Sequence, residues 1–242
     1  ALSAAIDEAR LLKTLKRLIA FPSPQPEMER VRAYIQEAVR PELPEDAFDQ
    51  VFRDSAGSVG WRLSAERGEG RGKAGRLPLP LVLCAYAGNF PAESMPDPYT
   101  PKEVDGGKYG QRGTCLWGRG TCEQIGALAA AVEAVRAFVS DKPGALKRSF
   151  LLLVNTAGET GSHEAVTTFF DEAASAGIVP GDAVIVMGTN NEVCLGNKGR
   201  VDVPVEITGI SCHSSTPDLG VNALDAFATC SRRLKDVKLP PA

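Results

Sequence analysis

The sequence has 242 residues, 43% of them hydrophobic, and a formal net charge of −3. That is enough chain for one large or two modest globular domains with a real core. It offers no basic surface to argue for nucleic acid, and no apolar run approaches membrane-spanning length. The six cysteines form no C-x-x-C pair, so neither a zinc knuckle nor a redox motif is present. They read as buried, reduced thiols of a cytoplasmic protein. Ala1 to Glu8 lacks the basic segment and apolar core of a secretory signal, which agrees with that compartment. The only histidines are His163 and His213, which restricts any metal centre.

Ile6 to Ala20 carries Leu11, Leu12, Leu15, Leu18 and Ile19 at helical spacing, and Phe21-Pro22 stops it. Glu27 to Val39 is a second helix, closed by Pro41 and Pro44. Phe48–Phe52 and Ser58–Leu63 read as a strand pair around the Asp54–Gly57 turn. Glu66 to Gly75 is Gly-, Arg- and Lys-rich and reads as a loop with no helix behind it to make a phosphate site. Leu79 to Ala85 is a short continuous apolar run, hence a buried strand. Asp97 to Gly113 reads as loop, and Gly126 to Val139 as an Ala-rich helix. Phe150–Asn155 and Ala183–Met187 are further buried strands, with a helix over Glu164–Ala176 between them. Val193–Leu195 is short and reads as an apparent strand around Cys194. Val201, Val203, Val205 and Ile207 alternate with polar residues or proline, which predicts a half-exposed strand. Asn222 to Lys235 is a last helix.

Strands alternating with helices predict an α/β domain: a mostly parallel sheet with helices on both faces. In such sheets sites form beyond the carboxyl ends of the strands, here where the Leu79–Ala85 strand runs out and the helix after Trp117 begins. The sequence there is Leu81-Val-Leu-Cys-Ala-Tyr86-Ala-Gly88-Asn-Phe-Pro91, a long excursion, then Gly118-Arg-Gly-Thr-Cys-Glu123. This order resembles the di-zinc metallohydrolases that include aminoacylase, acetylornithine deacetylase, succinyl-diaminopimelate desuccinylase and glutamate carboxypeptidase. Three other places carry the resemblance: the opening helix, Gly158-Glu-Thr-Gly-Ser162, and His213-Ser-Ser-Thr-Pro217 followed by Gly220-Val-Asn222-Ala. The last looks like the start of the family's small α+β lid, which also makes its dimer interface. The resemblance therefore implies a catalytic-type domain over residues 1–198 and the opening of a lid and dimerisation domain over residues 199–242. Both are incomplete against the family, so a fragment, a reduced variant or a chain completed by another is expected.

The family's ligands map poorly onto these residues. Tyr86 stands where the family has its first histidine, and a neutral phenol is a poor zinc ligand at pH 7. Gly88 stands where the next aspartate falls and has no ligand atom. Glu123 replaces the bridging aspartate but keeps a carboxylate at a helix start. Gly158 replaces the general base, and Glu159 keeps a metal ligand. Neither Met187 nor Gly188 offers a hard oxygen donor where a further ligand falls. Zinc is thus the implied cofactor, with Glu123 and Glu159 as remnant ligands, and the substitutions favour no metal in this chain. His213 looks like the lid histidine that polarises the scissile carbonyl across the dimer; the plainer reading is that it caps its own turn through Ser214 and Ser215. Asn222 is a weaker candidate for substrate contact. His163 is a possible replacement ligand or simply a helix-start residue. Cys122 is a possible nucleophile at a helix N-terminus or a packing thiol, and Arg119 an anion contact or a structural one.

Three functions follow. The first is a hydrolase relative without catalysis, a homodimer or a heteromer beside an active paralogue or a chain that supplies the missing part. The second is a working hydrolase of C–N bonds in small molecules such as N-acyl amino acids or peptides, with a rebuilt or partner-completed site. The third is a small-molecule binding module.

Overall fold

The computed structural model describes residues 5–24, 27–65, 80–141, 146, 148–157, 164–179, 181–186, 192–196 and 203–237. The backbone falls into two compact units, Ala1–Val193 and Cys194–Ala242.

The first unit opens with α1 (Glu8–Ala20), started by the Asp7 carboxylate, which accepts the Arg10 amide at 2.9 Å. That side-chain cap satisfies one of the amides a helix start leaves orphaned. Helix α2 (Met28–Tyr34) widens into one π turn over Ile35–Val39 and ends in a 3₁₀ turn over Arg40–Glu42. Pro41 explains the widening, because its ring crowds the carbonyl four residues back and its nitrogen cannot donate to it. That carbonyl, of Glu37, instead accepts from Arg17 Nη2 at 3.3 Å.

Strands β1 (Gln50–Arg53), β2 (Val59–Leu63), β3 (Leu81–Tyr86), β6 (Phe150–Asn155) and β7 (Asp182–Ile185) form one sheet in the order β1-β2-β6-β3-β7. Pairs β1–β2 and β2–β6 are antiparallel, and β6–β3 and β3–β7 are parallel. The α/β class is as the alternation of elements predicts, and the sheet is mixed because the β1–β2 hairpin joins its edge. Alternate residues face opposite sides. On one face Val59, Trp61, Ala85, Leu152 and Val154 pack with Leu18, Ile19, Val31, Tyr34, Leu128 and Val132 from α1, α2 and α3 (Gln124–Asp141). On the other, Phe52, Val82, Cys84, Leu151 and Leu153 pack with Phe169 and Ala173 of α4 (Glu164–Ala173) and with Ile178. Each large side chain so buried contributes about 1.5–3 kcal/mol, which is what fastens helices to both faces.

Four expectations change. Asp97–Gly113 is not all loop: β4 (Lys102–Asp105) pairs antiparallel with β5 (Thr114–Trp117). The turn residues Gly110 and Gly113, both at φ +72°, turn the chain back and so make a ribbon from a polar, proline-rich segment. Second, β7 is exposed along its length rather than buried, because only β3 pairs with it among the described residues. Third, residues 203–209 make no strand ladder among the described residues; Pro204 lacks a donor, and a strand needs a partner. Val193–Leu195 likewise is not a strand. Fourth, the thiols are mixed: Cys84 is buried, and its pKa is pushed up to about 12 by that burial, while Cys122, Cys194 and Cys212 are exposed. The Glu66–Gly75 loop lies outside the described residues. No helix among the described residues is long and apolar enough to cross a membrane.

In the second unit Asn222 starts α5 (Ala223–Leu234), accepting the Leu224 amide at 3.0 Å. Ile210 and Val221 close a short antiparallel bridge before it. The helix is where the periodicity predicts it, with Leu224, Phe227 and Leu234 exposed.

Candidate active-site region at the carboxyl end of the sheet

Tyr86 is the last residue of β3 and lies opposite Asn155, the last of β6. The pairing continues one step further, since the Ala87 amide donates to the Asn155 carbonyl at 2.9 Å. From there the chain is stitched to the loop leaving α1. Ser23 Oγ donates to the Ala87 carbonyl at 2.8 Å, and the Asn89 amide donates to the Ser23 carbonyl at 2.9 Å. Asn89 Nδ2 adds a contact to Ser23 Oγ at 3.4 Å. Ser23 and Asn89 are both almost fully buried. Sequence reasoning missed them; their only signal is two small polar residues beside prolines.

The turn into α3 is fixed by glycine. Gly120 sits at φ +82°, and a Cβ there would collide with Asn89 Oδ1 and stand 2.7 Å from Ile125 Cγ1. A side chain on Gly118 would meet Ile19 Cγ2 at 2.5 Å. The Gly120 carbonyl accepts from the amides of Glu123, Ile125 and Gly126 at 3.1, 3.0 and 3.4 Å. The helix start therefore uses these donors on its own turn instead of presenting them to an anion.

Arg119 ties this turn to the excursion after β3. Its amide donates to the Pro98 carbonyl at 2.7 Å and its Nε to the Phe90 carbonyl at 3.0 Å. Its Nη1 is 3.6 Å from Glu123 Oε2, with the Glu123 side chain 47% exposed. Arg119 is thus a structural contact as well as the cation beside Glu123. Opposite, the β1–β2 turn brings Asp54, Ser58 and Thr156 together: the Ser58 amide donates to Asp54 Oδ1 at 2.8 Å, and the Thr156 amide to Ser58 Oγ at 3.4 Å. Burial pushes the Asp54 carboxyl up, and the Ser58 hydrogen bonds hold it back.

Of the residues predicted from sequence, Tyr86, Gly88 and Glu123 gather at this end of the first unit. Cys122 is exposed beside Glu123. Gly158, Glu159, His163, Met187 and Gly188 lie outside the described residues. His213 and Asn222 belong to the second unit. Asn222 is the N-cap of α5, and the His213 ring is held by Ser215.

No family model matches the chain. It is similar to the uncharacterised protein YgeY of Escherichia coli, 28% identical over 223 residues, 90% of this chain and 48% of that protein. It is 32% identical over 154 residues to acetylornithine deacetylase of Photorhabdus laumondii, covering 62% of this chain and 36% of the relative. It is 30% identical over 166 residues to succinyl-diaminopimelate desuccinylase of Erythrobacter litoralis, covering 64% and 40%. The chain is thus related in sequence to proteins named as deacetylases and a desuccinylase. It spans less than half the length of these curated relatives. Solved structures agree on the fold: human carnosine dipeptidase 1 aligns at TM-score 0.56, 20% identity, 76% of this chain and 40% of that one. The M20 family metallo-carboxypeptidase Sso-CP2 of Sulfolobus solfataricus aligns at TM-score 0.53, 15% identity, 74% of this chain and 37% of that one.

Measured against metallohydrolase chemistry, the described donors do not fit a two-metal centre. A zinc ion needs about four donors of nitrogen, sulfur or carboxylate type, and a catalytic one keeps a place for water. The end of β3 offers a phenol and a glycine. Glu123 offers one carboxylate, and a guanidinium already stands beside it.

Proposed function

We propose that this chain is a non-catalytic relative of the amide-hydrolysing metallohydrolases, which keeps their scaffold and acts as a structural or regulatory subunit. The observation that carries this reading is the end of β3 and the start of α3 taken together. Tyr86 and Gly88 supply no good metal ligand at neutral pH, and the Glu123 carboxylate already stands 3.6 Å from the Arg119 guanidinium. Without a metal-activated water, hydrolysis of an unactivated amide loses its nucleophile, and loss of a general base alone costs on the order of 10²–10⁴ in rate. The partner in this reading is a second copy or an active paralogue.

A second reading has a specific observation in its favour. The Glu123 carboxylate is half exposed at a helix start, and its ion pair is a weak surface contact. Such a pair contributes about 0–1 kcal/mol, so a metal held by other groups would displace it easily. An active hydrolase with a rebuilt or partner-completed site would use Glu123 in this way. The two readings separate on hydrolysis of N-acyl amino acids by the purified chain with added zinc. The non-catalytic reading predicts no turnover above a chelator-treated control. Zinc-dependent turnover that disappears in Glu123→Gln would establish the second.

A further inference from the structure

The turn between β1 and β2 closes over a carboxyl group that has only part of its partners. Asp54 Oδ1 accepts the Ser58 amide at 2.8 Å. The Asp54 amide donates to the Ser58 carbonyl at 3.2 Å, and the Gly57 amide to the Asp54 carbonyl at 3.0 Å. Asp54 Oδ2 is buried without a hydrogen-bond partner, and the residue is 7% exposed. The charge that acts on it has the same sign. Glu172 of α4 is held on the next residue, accepting the Ser55 amide at 3.0 Å and the Ser55 hydroxyl. Arg32 of α2 is engaged elsewhere, donating to Glu29 at 2.6 Å and to the Ala56 carbonyl at 3.4 Å. Arg53, beside Asp54 on β1, is exposed. A buried carboxyl so placed favours its neutral form. Burial, with Glu172 adding to it, raises Asp54 above the ordinary aspartate value of 3.8, against the bonds from Ser58 and Gly57.

The same turn grips the end of β6. The Thr156 amide donates to Ser58 Oγ at 3.4 Å, and its hydroxyl to the Ala56 carbonyl at 3.2 Å. Ser58 and Thr156 are both fully buried. In the sequence Thr156 leads into Gly158-Glu159, where the resemblance places a base and a metal ligand. We infer that Asp54, facing Glu172, is a proton-operated latch: with its carboxyl neutral the β1–β2 turn stays closed on the end of β6, and with the carboxyl ionised the turn opens more readily and frees Thr156. The sign follows from the folded chain binding this proton more tightly than the unfolded one. The turn is firmest below 3.8, loosens as pH rises from there through the raised folded value, and is at its loosest above it.

Carboxyl ¹³C titration and amide hydrogen exchange on the full chain test this without substrate. The Asp54 carboxyl should titrate above 3.8. After correction for intrinsic exchange, protection of the Gly57 and Thr156 amides should fall by up to about tenfold per pH unit between that value and the Asp54 midpoint, the slope of one linked proton. Asp54→Asn keeps an acceptor for the Ser58 amide and cannot ionise. At pH 7 it should protect both amides better than the native chain, with the gain confined to this turn and the end of β6. Glu172→Gln should lower the Asp54 midpoint. Comparison with Asp54→Asn at each pH cancels the acid sensitivity of every other carboxyl. An Asp54 midpoint at or below 3.8, or one unmoved by Glu172→Gln, overturns the inference. So does protection at pH 7 that is equal in Asp54→Asn and the native chain, or lower in the variant.

Discussion

At the scale of single residues, the turn into α3 depends on Gly120. It combines a left-handed backbone with the close approach of Asn89 and Ile125. Gly110 has a similar φ of +72° but nothing within 4 Å of an added Cβ. The two glycines therefore separate conformation from contact. Gly110→Ala should cost about 1 kcal/mol, the strain of a left-handed alanine alone. Gly120→Ala adds a collision with a buried side chain and should cost on the order of 2 kcal/mol or more. Urea unfolding of both variants checks this, and equal losses would show that the Asn89 contact carries no energy. At this scale the sequence was only partly legible. Gly-Arg-Gly marked a turn, and Tyr86 and Gly88 could be placed by counting back from Pro91. The partners that shape the turn, Ser23, Asn89 and Ile19, come from segments roughly 30 to 100 positions away, and no local pattern announces them. The same holds for Arg119, whose contact with Phe90 crosses the whole excursion.

At the scale of elements, α1 is fastened to α3 by charge as well as by apolar packing. Glu133 of α3 is 1% exposed and receives Arg10 Nε at 2.8 Å, Arg10 Nη2 at 2.6 Å and the Asp7 amide at 2.9 Å. Beside it Glu42 accepts from Thr14 at 2.9 Å, Arg17 at 2.8 Å and Arg136 at 2.5 Å. The Arg10 hydrogen bond pulls the Glu133 carboxyl below the ordinary glutamate value, against burial. Burial alone would raise Glu42, and its bonds to Arg136 and Thr14 and the arginine charges outweigh that and lower it. A carboxyl lowered in the folded state adds stability above its unfolded value of 4.5 and loses it as pH falls through the folded value. Arg10→Met leaves Glu133 charged and buried, so at pH 7 it should cost about 3 kcal/mol. The gap to the native chain should close as pH falls through the lowered folded value of Glu133, where the carboxyl is protonated in folded and unfolded chains alike. Thermal unfolding across that range checks it, and a constant difference would mean that Arg10 acts through packing alone. The elements themselves were readable where periodicity is strong: α1, α3, α5, β3 and β6 lie within a few residues of their predicted spans. The β4–β5 ribbon was not, because its pairing is set by glycine turns in a polar segment without an apolar face. The predicted strand around Val203 differs for the opposite reason: alternation is present, and no pairing partner lies among the described residues.

At the scale of the whole molecule, the α/β class and the family resemblance were legible because a buried strand, an excursion and an Ala-rich helix recur in fixed order. The mixed sheet was less so, since the hairpin of β1 and β2 could be read as a pair but not placed beside β6. The chain resembles peptidases in fold and deacetylases in sequence, and the proposed non-catalytic reading rests on the residues at the end of β3. The central claim is therefore about the donor set at the end of β3. Elemental analysis of the purified chain, with any co-purifying protein removed, tests it most directly. With a phenol at Tyr86, no side chain at Gly88 and Arg119 beside Glu123, the chain should carry zinc well below one ion per molecule after dialysis against buffer. Zinc retained at one or two ions per chain, and lost in Glu123→Gln, would contradict the account and make this protein a hydrolase with a rebuilt centre.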